Sequence, residues 1–484
     1  MSTSPKNLGV DFFFFSIKNP NKKHPLYLIL LFIMDTPFVS ESWRSVWEDA
    51  KSNNPPDAIT SATVGDPETV KSTFSKHVVY NVVTQFHVKR RYADFEWLRE
   101  KLAEKYIGMF IPMKPAKYPD PKTKAMGNDK NVSSNFVLNR SAQLNIFLNS
   151  ILANPFCSQD SLVENFLSET DPNEWKTFRE TAPTTLFDES SGGAVLWRKV
   201  VRNLPDNFDC ESVVRTTTEH LNVLLPVLNE TKNFNLIASA QTQSTKDRMS
   251  LLHHKTLEWA GKEIGVESVR GAESDIDQSK NSVESLVMTT NNMEINTLAI
   301  NRTLTSILFP NFMHQICMIE GMLDLFKRLE EKTKEIDALQ KKILAKKSKK
   351  DQLNEHTTKR RTSIYAFVAT TVGTTEDDVE NDIRDKEDKL AQLRRDKSYM
   401  ERAITFSEVN RFFAERNMRM MNLSSLMLAA NEAIVSKMHT TCTDIASKFN
   451  VTTAQHKGRL GHIFEAVNLD VIDEQEDGER NTEN

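Results

Sequence analysis

Between Met322 and Val372, and again between Thr374 and Lys457, the chain contains neither glycine nor proline. Those two residues are the ones that stop or kink a helix. A helix rises about 1.5 Å per residue, so unbroken runs of this kind reach on the order of 100 Å. No compact globular domain needs an element that long. Along the second run, Val379, Ile383, Leu390, Leu393, Met400 and Ile404 recur at intervals of three, four or seven residues. That spacing is the seam of an antiparallel bundle or coiled coil. Breaks are expected near Ile264–Asp275 and Val372–Thr375, giving three long helices from about Phe208 onward. Pro226 and Pro310 mark kinks. Gly373 followed by Thr374, Thr375, Glu376, Asp377 and Asp378 reads as a C-cap, then an N-cap and an acidic first turn.

Composition supports a helix-rich chain, with only 14 glycines, 8% aromatic and 26% charged residues in 484. The 62 basic residues nearly balance the 66 acidic ones, so any electrostatic recognition comes from local clusters. Cys157, Cys210, Cys317 and Cys442 are too far apart for a C-x-x-C site and read as reduced thiols, mostly in cores. Near the N-terminus, Phe12 to Phe15 and the apolar run Pro25 to Met34 stand apart. The second run is shorter than the roughly 20 residues that span a bilayer. It has the look of a signal-peptide core, but no A-x-A-like cleavage site follows. Another reading takes Met34 as the true start, with residues 1–33 an over-extension. Residues 1–57 are accordingly set aside as an extension, and the acidic tail 469–484 is expected to be disordered.

From about residue 58 to 171 the pattern changes to α+β. Val78 to Thr84 is β-branched and strand-like, and Phe86 to Arg91 is a second strand. Asp94 to Tyr106 carries Phe95, Trp97, Leu98 and Leu102 at helical spacing. A Pro/Lys-rich loop, Pro112 to Lys124, precedes a helix from Phe136 to Ile151 and a short one around Leu162 to Leu167. Within this stretch, Arg90-Arg91-Tyr92-Ala93-Asp94-Phe95-Glu96-Trp97-Leu98 resembles the R-R-Y/F-x-D-F-x-x-L signature of PX domains. Ile111-Pro112-Met113-Lys114-Pro115-Ala116-Lys117 is similar to that family's φ-P-P-L-P-x-K loop. Phe136 to Phe147, with Arg140, resembles its F-φ-x-x-R-x-x-x-L-x-x-F helix. Asn154-Pro155-Phe156 and Phe166-Leu167 resemble the motifs that close the domain. The landmarks fall in family order over about 110 residues.

The resemblance implies a pocket for phosphatidylinositol 3-phosphate. In it Arg91 would hold the 3-phosphate, for which a guanidinium offers paired donors. Tyr92 would floor the inositol ring, Lys117 would meet the 1-phosphate, and Arg140 would bond the ring hydroxyls. Phe110, Ile111 and Met113 would dip into the bilayer beside it. Two departures stand out. Met113 and Lys114 replace a proline and a leucine of the loop, so Lys114 competes with Lys117. Thr84-Gln85-Phe86 leaves almost no turn between two strands, so either the hairpin is very tight or part of a loop is missing.

Residues 172–207 read as a linker, with Pro172, Pro183 and Ser190-Ser191-Gly192-Gly193 as breaks. It holds one amphipathic basic helix. Leu196, Trp197, Val200, Val201 and Leu204 share a face beside Arg198, Lys199 and Arg202. Leu196, Trp197 and Val200 are candidates for membrane insertion; the plain alternative is that this helix packs on the bundle. Lys341, Lys342, Lys346, Lys347, Lys349, Lys350, Lys359, Arg360 and Arg361 form a basic stretch, either an ordinary solvated face or an attraction for anionic lipid. A PX domain, a basic amphipathic helix and three long helices in residues 208–468 together resemble the PX-BAR sorting nexins, and Arg411-Phe412-Phe413 is weakly similar to an R-F pattern there.

The resemblance implies an α+β PX domain followed by an all-α BAR-type module, acting as a homodimer or as a heterodimer with another sorting nexin. It further implies work on early or recycling endosomes, from the cytoplasmic side, with cargo or coat proteins as partners. The competing reading is a coiled-coil tether or scaffold whose PX-like unit binds protein rather than lipid. Nothing suggests a nucleic-acid partner, a cofactor or a metal. G-x-S-x-G, H-E-x-x-H, P-loop and dinucleotide motifs are all missing, so no enzyme is expected. Adjacent His253 and His254 would point about 100° apart on a helix.

Overall fold

A computed structural model describes residues 42–52, 59–71, 76–117, 134–182, 192–204, 209–270, 273–359 and 376–450. The apolar N-terminal runs, most of the Pro/Lys-rich loop after Lys117, Arg360, Arg361, the Gly373 cap and the acidic tail lie outside them. Helix α1 (Ser42–Ser52) is followed by β1 (Thr63–Lys71), β2 (Lys76–Val83) and β3 (His87–Arg91). The three strands form one antiparallel sheet in the order β1-β2-β3. Then come α2 (Tyr92–Lys105), α3 (Ser134–Leu152), α4 (Ser161–Ser168), α5 (Pro172–Thr181) and α6 (Gly192–Arg202).

Strand β2 buries Tyr80 and Val82 against Phe95, Leu98, Phe147 and Phe166. The β2–β3 connection is the tight hairpin. Val83 pairs with His87, and Thr84, Gln85 and Phe86 alone make the turn. The Thr84 amide donates to the Phe86 carbonyl at 2.8 Å, and the Phe86 amide to the Thr84 hydroxyl at 3.0 Å.

Two stretches that the sequence assigns to an extension and a linker belong to this same core. Trp47 of α1 packs edge-on to Phe156 at 5.1 Å. Trp175 of α5 meets Trp97 at 5.2 Å, and Trp197 of α6 meets Phe156 at 5.3 Å. Aromatic residues of this size supply much of a small core's burial.

The remainder is a bundle of three helical paths. α7 (Cys210–Arg270) runs out and carries Pro226 in its interior. α8 (Glu273–Thr303) returns, passes through a π turn at Leu304–Leu308, and continues as α9 (Phe309–Lys359). α10 (Glu376–Ala403) comes back through a second π turn at Ile404–Glu408 into α11 (Val409–Lys448). The first expected break falls between α7 and α8, and the second, near Val372–Thr375, lies outside the described residues. α7, α8 and α11 form a three-helix half. Among the described residues, the far part of α9 pairs with α10 alone, through Ile336, Leu339, Ile343 and Leu393. Among the described residues no helix is long and apolar enough to cross a membrane.

The α+β unit seats where the two halves of the bundle meet. The Phe110 ring lies in a cluster with Met318, Met322, Ile404 and Phe412. Gly108 and Gly321 allow the approach. Gly108 has φ +81° and sits against Met400 and Ala403, and a Cβ on Gly321 would come 2.7 Å from the Ile111 carbonyl oxygen. Both are places where a side chain has no room.

Candidate functional site

The segment Arg90 to Asp94 turns from strand to helix, and the turn decides what each residue does. Side chains alternate across a strand. On β3, Val88 and Arg90 therefore face inward, and Lys89 and Arg91 face solvent. Arg90 is 3% exposed and donates to the carbonyls of Asn165, Phe166 and Glu169 at 3.2, 2.9 and 2.6 Å. It thereby caps the C-terminal end of α4, whose last carbonyls have no partner within the helix. Burial lowers the Arg90 pKa to about 10. Asp94 accepts from the Arg91 amide at 2.6 Å, from Arg179 at 2.8 Å and from the Trp175 indole at 3.2 Å. It fixes the turn that leaves Arg91 outside and folds Tyr92 inward.

Tyr92 is buried, and its hydroxyl donates to the Pro115 carbonyl at 2.7 Å, tying the Pro/Lys-rich loop to the sheet. Burial pushes the phenol well above its ordinary pKa. Arg140 comes in from α3. Its Nε donates to the Tyr80 hydroxyl at 2.5 Å and its Nη1 to the Lys117 carbonyl at 2.8 Å. The guanidinium carbon lies 5.6, 5.4 and 5.2 Å from the ring centroids of Tyr80, Tyr92 and Phe136, within the range where a cation is attracted to an aromatic face. Tyr92, Lys117 and Arg140 are thus brought together, and Arg91 adjoins them as the exposed neighbour of Tyr92. Tyr80 and Phe136 complete the setting. Phe136 opens the motif that carries Arg140, one helical turn away, whereas Tyr80 is marked in sequence only as part of a strand-like run. Lys114, the competitor of Lys117, is engaged with Glu96 at 2.9 Å. Arg140 is buried within this aromatic cluster, and Arg91 and Lys117 are exposed cations at its edge. Among the described residues no group of His, Cys, Asp or Glu could hold a metal ion.

The insertion candidates are corrected. Phe110 and Ile111 are 0% and 2% exposed. The Phe110 amide donates to Glu408 at 2.8 Å, and its carbonyl accepts from Arg411 at 2.7 Å. Its ring meets Phe412 edge-on at 5.3 Å. Met113 is half-buried, and its amide donates to the Cys317 carbonyl at 2.9 Å. The bundle, not a bilayer, takes up this loop. On α6, Trp197 is 0% exposed and its indole donates to the Ile107 carbonyl at 3.2 Å, while Leu196 and Val200 pack on the same core. The apolar face of the helix is already covered, chiefly by the α+β core rather than by the bundle that the plain alternative named.

Arg411 is the hub of the junction. It is 3% exposed, bonded to Glu408 at 2.6 Å and Glu415 at 2.7 Å, and its guanidinium lies 4.6 Å from the Trp47 ring centroid. Those two carboxylates push its pKa up despite burial. The basic stretch on α9 is less free than its sequence suggests. Lys346 pairs with Asp382, Lys347 with Glu387 at 2.5 Å, and Lys350 with Glu380 at 3.0 Å. Three of its lysines therefore zip α9 to α10.

Residues 78–170 match the PX domain family. Sorting nexin 1 of Arabidopsis thaliana is 30% identical over 184 residues, 36% of this chain and 44% of that protein. Sorting nexin MVP1 of Yarrowia lipolytica is 32% identical over 149 residues, 28% of this chain and 24% of that one. Human sorting nexin-1 is 36% identical over 122 residues, 22% of this chain and 23% of that one. The matched stretch thus spans less than half the length of each relative. Among solved structures, the SNX-BAR Mvp1 tetramer aligns with TM-score 0.41 and 16% identity, over 77% of this chain and 99% of that one.

Proposed function

Taking the chain as a PX-containing relative of the sorting nexins, with a long-helix bundle after its PX domain, we propose that it is a phosphoinositide-binding sorting adaptor. The PX domain reads a 3-phosphorylated inositol headgroup on an endosomal membrane, and the bundle dimerises into a BAR-type scaffold that senses or stabilises curvature. The observation that carries this reading is the convergence of Tyr92, Lys117 and Arg140 beside an exposed Arg91. Arg91 supplies paired donors for a phosphate, and Tyr92 a flat floor for the ring. Two weak contacts, lipid pocket and scaffold, give specificity through effective concentration. The activity is non-catalytic, and its cellular output is endosomal recycling of cargo.

Dimerisation is supported by where apolar side chains are left uncovered. Phe234 is 68% exposed, Trp259 48%, Met293 50%, Met421 74% and Leu428 68%, all in the three-helix half. Exposed apolar patches of that kind mark interaction surfaces. Among the described residues of the two-helix arm, only Leu344, at 67%, is comparably exposed among large apolar side chains. The test of the lipid reading is pelleting with vesicles containing phosphatidylinositol 3-phosphate. Wild type is expected to sediment and Arg91→Ala to remain in solution. Equal sedimentation of the two would refute the pocket and favour the scaffold reading, in which the PX domain binds protein.

A further inference from the structure

The apolar face of α6 is spent on the core, and at its C-terminal end Arg202 borders a cleft of about 470 Å³ between α6 and α10, lined on the other side by Arg394, Arg395 and Arg402. Among the described residues that line it, four guanidinium groups face one carboxylate, that of Asp396. That carboxylate is occupied, since Gln392 donates to it at 2.8 Å. Arg395 is held by Gln392 at 2.7 Å, and Arg394 makes no hydrogen bond or ion pair among the described residues. Tyr399 and Ile107 give the cleft an apolar side. The Tyr399 hydroxyl donates to the Arg198 carbonyl and so pins α6 to α10. Arg202, Arg198 and Arg402 all bear on that phenol, whose pKa burial raises and they pull back.

We propose that this cleft binds a polyphosphorylated small anion, of the size and charge of an inositol polyphosphate, whose phosphates bridge Arg202 of α6 to Arg394 and Arg402 of α10. Its volume falls in the range of small-ligand sites. Arginine suits the task because each fork takes a phosphate through two parallel bonds. Clustered cations in a concave, partly apolar wall also concentrate anions from solution. The site is separate from the surroundings of Arg91 and does not depend on that pocket being active. Its occupant would staple the linker helix to the bundle arm. The same chemistry is available from a free inositol polyphosphate or from a phosphoinositide headgroup in a membrane.

Calorimetry of the full chain with inositol hexakisphosphate, and sedimentation with vesicles bearing phosphatidylinositol 4,5-bisphosphate, distinguish those sources. The expected result is saturable binding of one or both probes, weakened about ten-fold or more, roughly 1.4 kcal/mol, in Arg202→Glu/Arg394→Glu. Lys341→Glu/Lys342→Glu, which makes the same charge change far along the arm, is expected to leave it unchanged. Binding of the soluble probe identifies a free ligand, and binding to vesicles alone identifies a headgroup. Circular dichroism of the cleft variant, expected to be that of wild type, separates lost binding from lost fold; should that variant unfold, Arg394→Gln alone carries the test. Binding of neither probe overturns the proposal. So does an equal loss in the Lys341/Lys342 variant.

Discussion

Two adjacent arginines show how far residue type alone underdetermines role. The pairing of Arg90 with Arg91 was legible in sequence, and the period of a strand already assigns them to opposite faces. Which face is the core depends on α4 and α5, some 75 or more positions later, where Arg90 finds the carbonyls of Asn165 and Phe166. The two substitutions should therefore separate cleanly. Arg90→Ala leaves buried carbonyls without a donor and should cost about 2–4 kcal/mol of stability, read as a lower denaturation midpoint. Arg91→Ala, at an exposed position, should change stability by less than about 0.5 kcal/mol while abolishing vesicle binding. A melt in which Arg91→Ala is the more damaging of the pair would reverse these assignments. Asp94 of the signature is likewise structural. It holds the Arg91 amide and Trp175 rather than any ligand.

At the scale of elements, the long helices, the break between α7 and α8 and strands β2 and β3 could be read from periodicity and breakers, whereas β1 was not singled out. The destination of the Pro-rich loop could not. Phe110 and Ile111 look the same in sequence whether they face lipid or a helix that the chain supplies 200 or more residues later. The π turns had no signal either, although one of them supplies Glu408 to the Phe110 amide. Two measurements probe this junction. Gly321→Val would drive a branched side chain into the Ile111 carbonyl, and should lower stability by about 1–3 kcal/mol through overpacking. Limited proteolysis should then cut between the PX domain and the bundle; unchanged resistance would mean that the contact is dispensable. His314, at 5% exposure, lies 3.2 Å from the Ser150 hydroxyl of α3. Burial, with Arg419 nearby, lowers its pKa to about 3. The unfolded imidazole titrates near 6.5. Below that pH the unfolded chain takes up a proton that the folded chain refuses, so stability falls as pH drops from about 6.5 toward 3. At pH 5 the loss from this one group is about 2 kcal/mol. Thermal melts at pH 7 and pH 5 should show a shift that His314→Gln reduces.

The order of the whole molecule, PX domain then three helical paths, was visible in the sequence, but its partition into a three-helix half and a two-helix arm was not. That partition follows from where α7 ends, and it explains why uncovered apolar side chains gather on one half. Phe234→Asp combined with Met421→Asp should convert a dimer to a monomer in scattering or sedimentation, with helical content kept. A wild-type chain that is already monomeric at micromolar concentration would remove the basis for a dimeric scaffold. The clamp on the Phe110 backbone by Glu408 and Arg411 has a further consequence. A joint fastened through main-chain atoms has little play. The direction in which Arg91 points is therefore set by the axis of the helices. Lipid pocket and scaffold would then act as the two arms of a gauge, fully engaged only by a surface that meets both at the angle built into the joint.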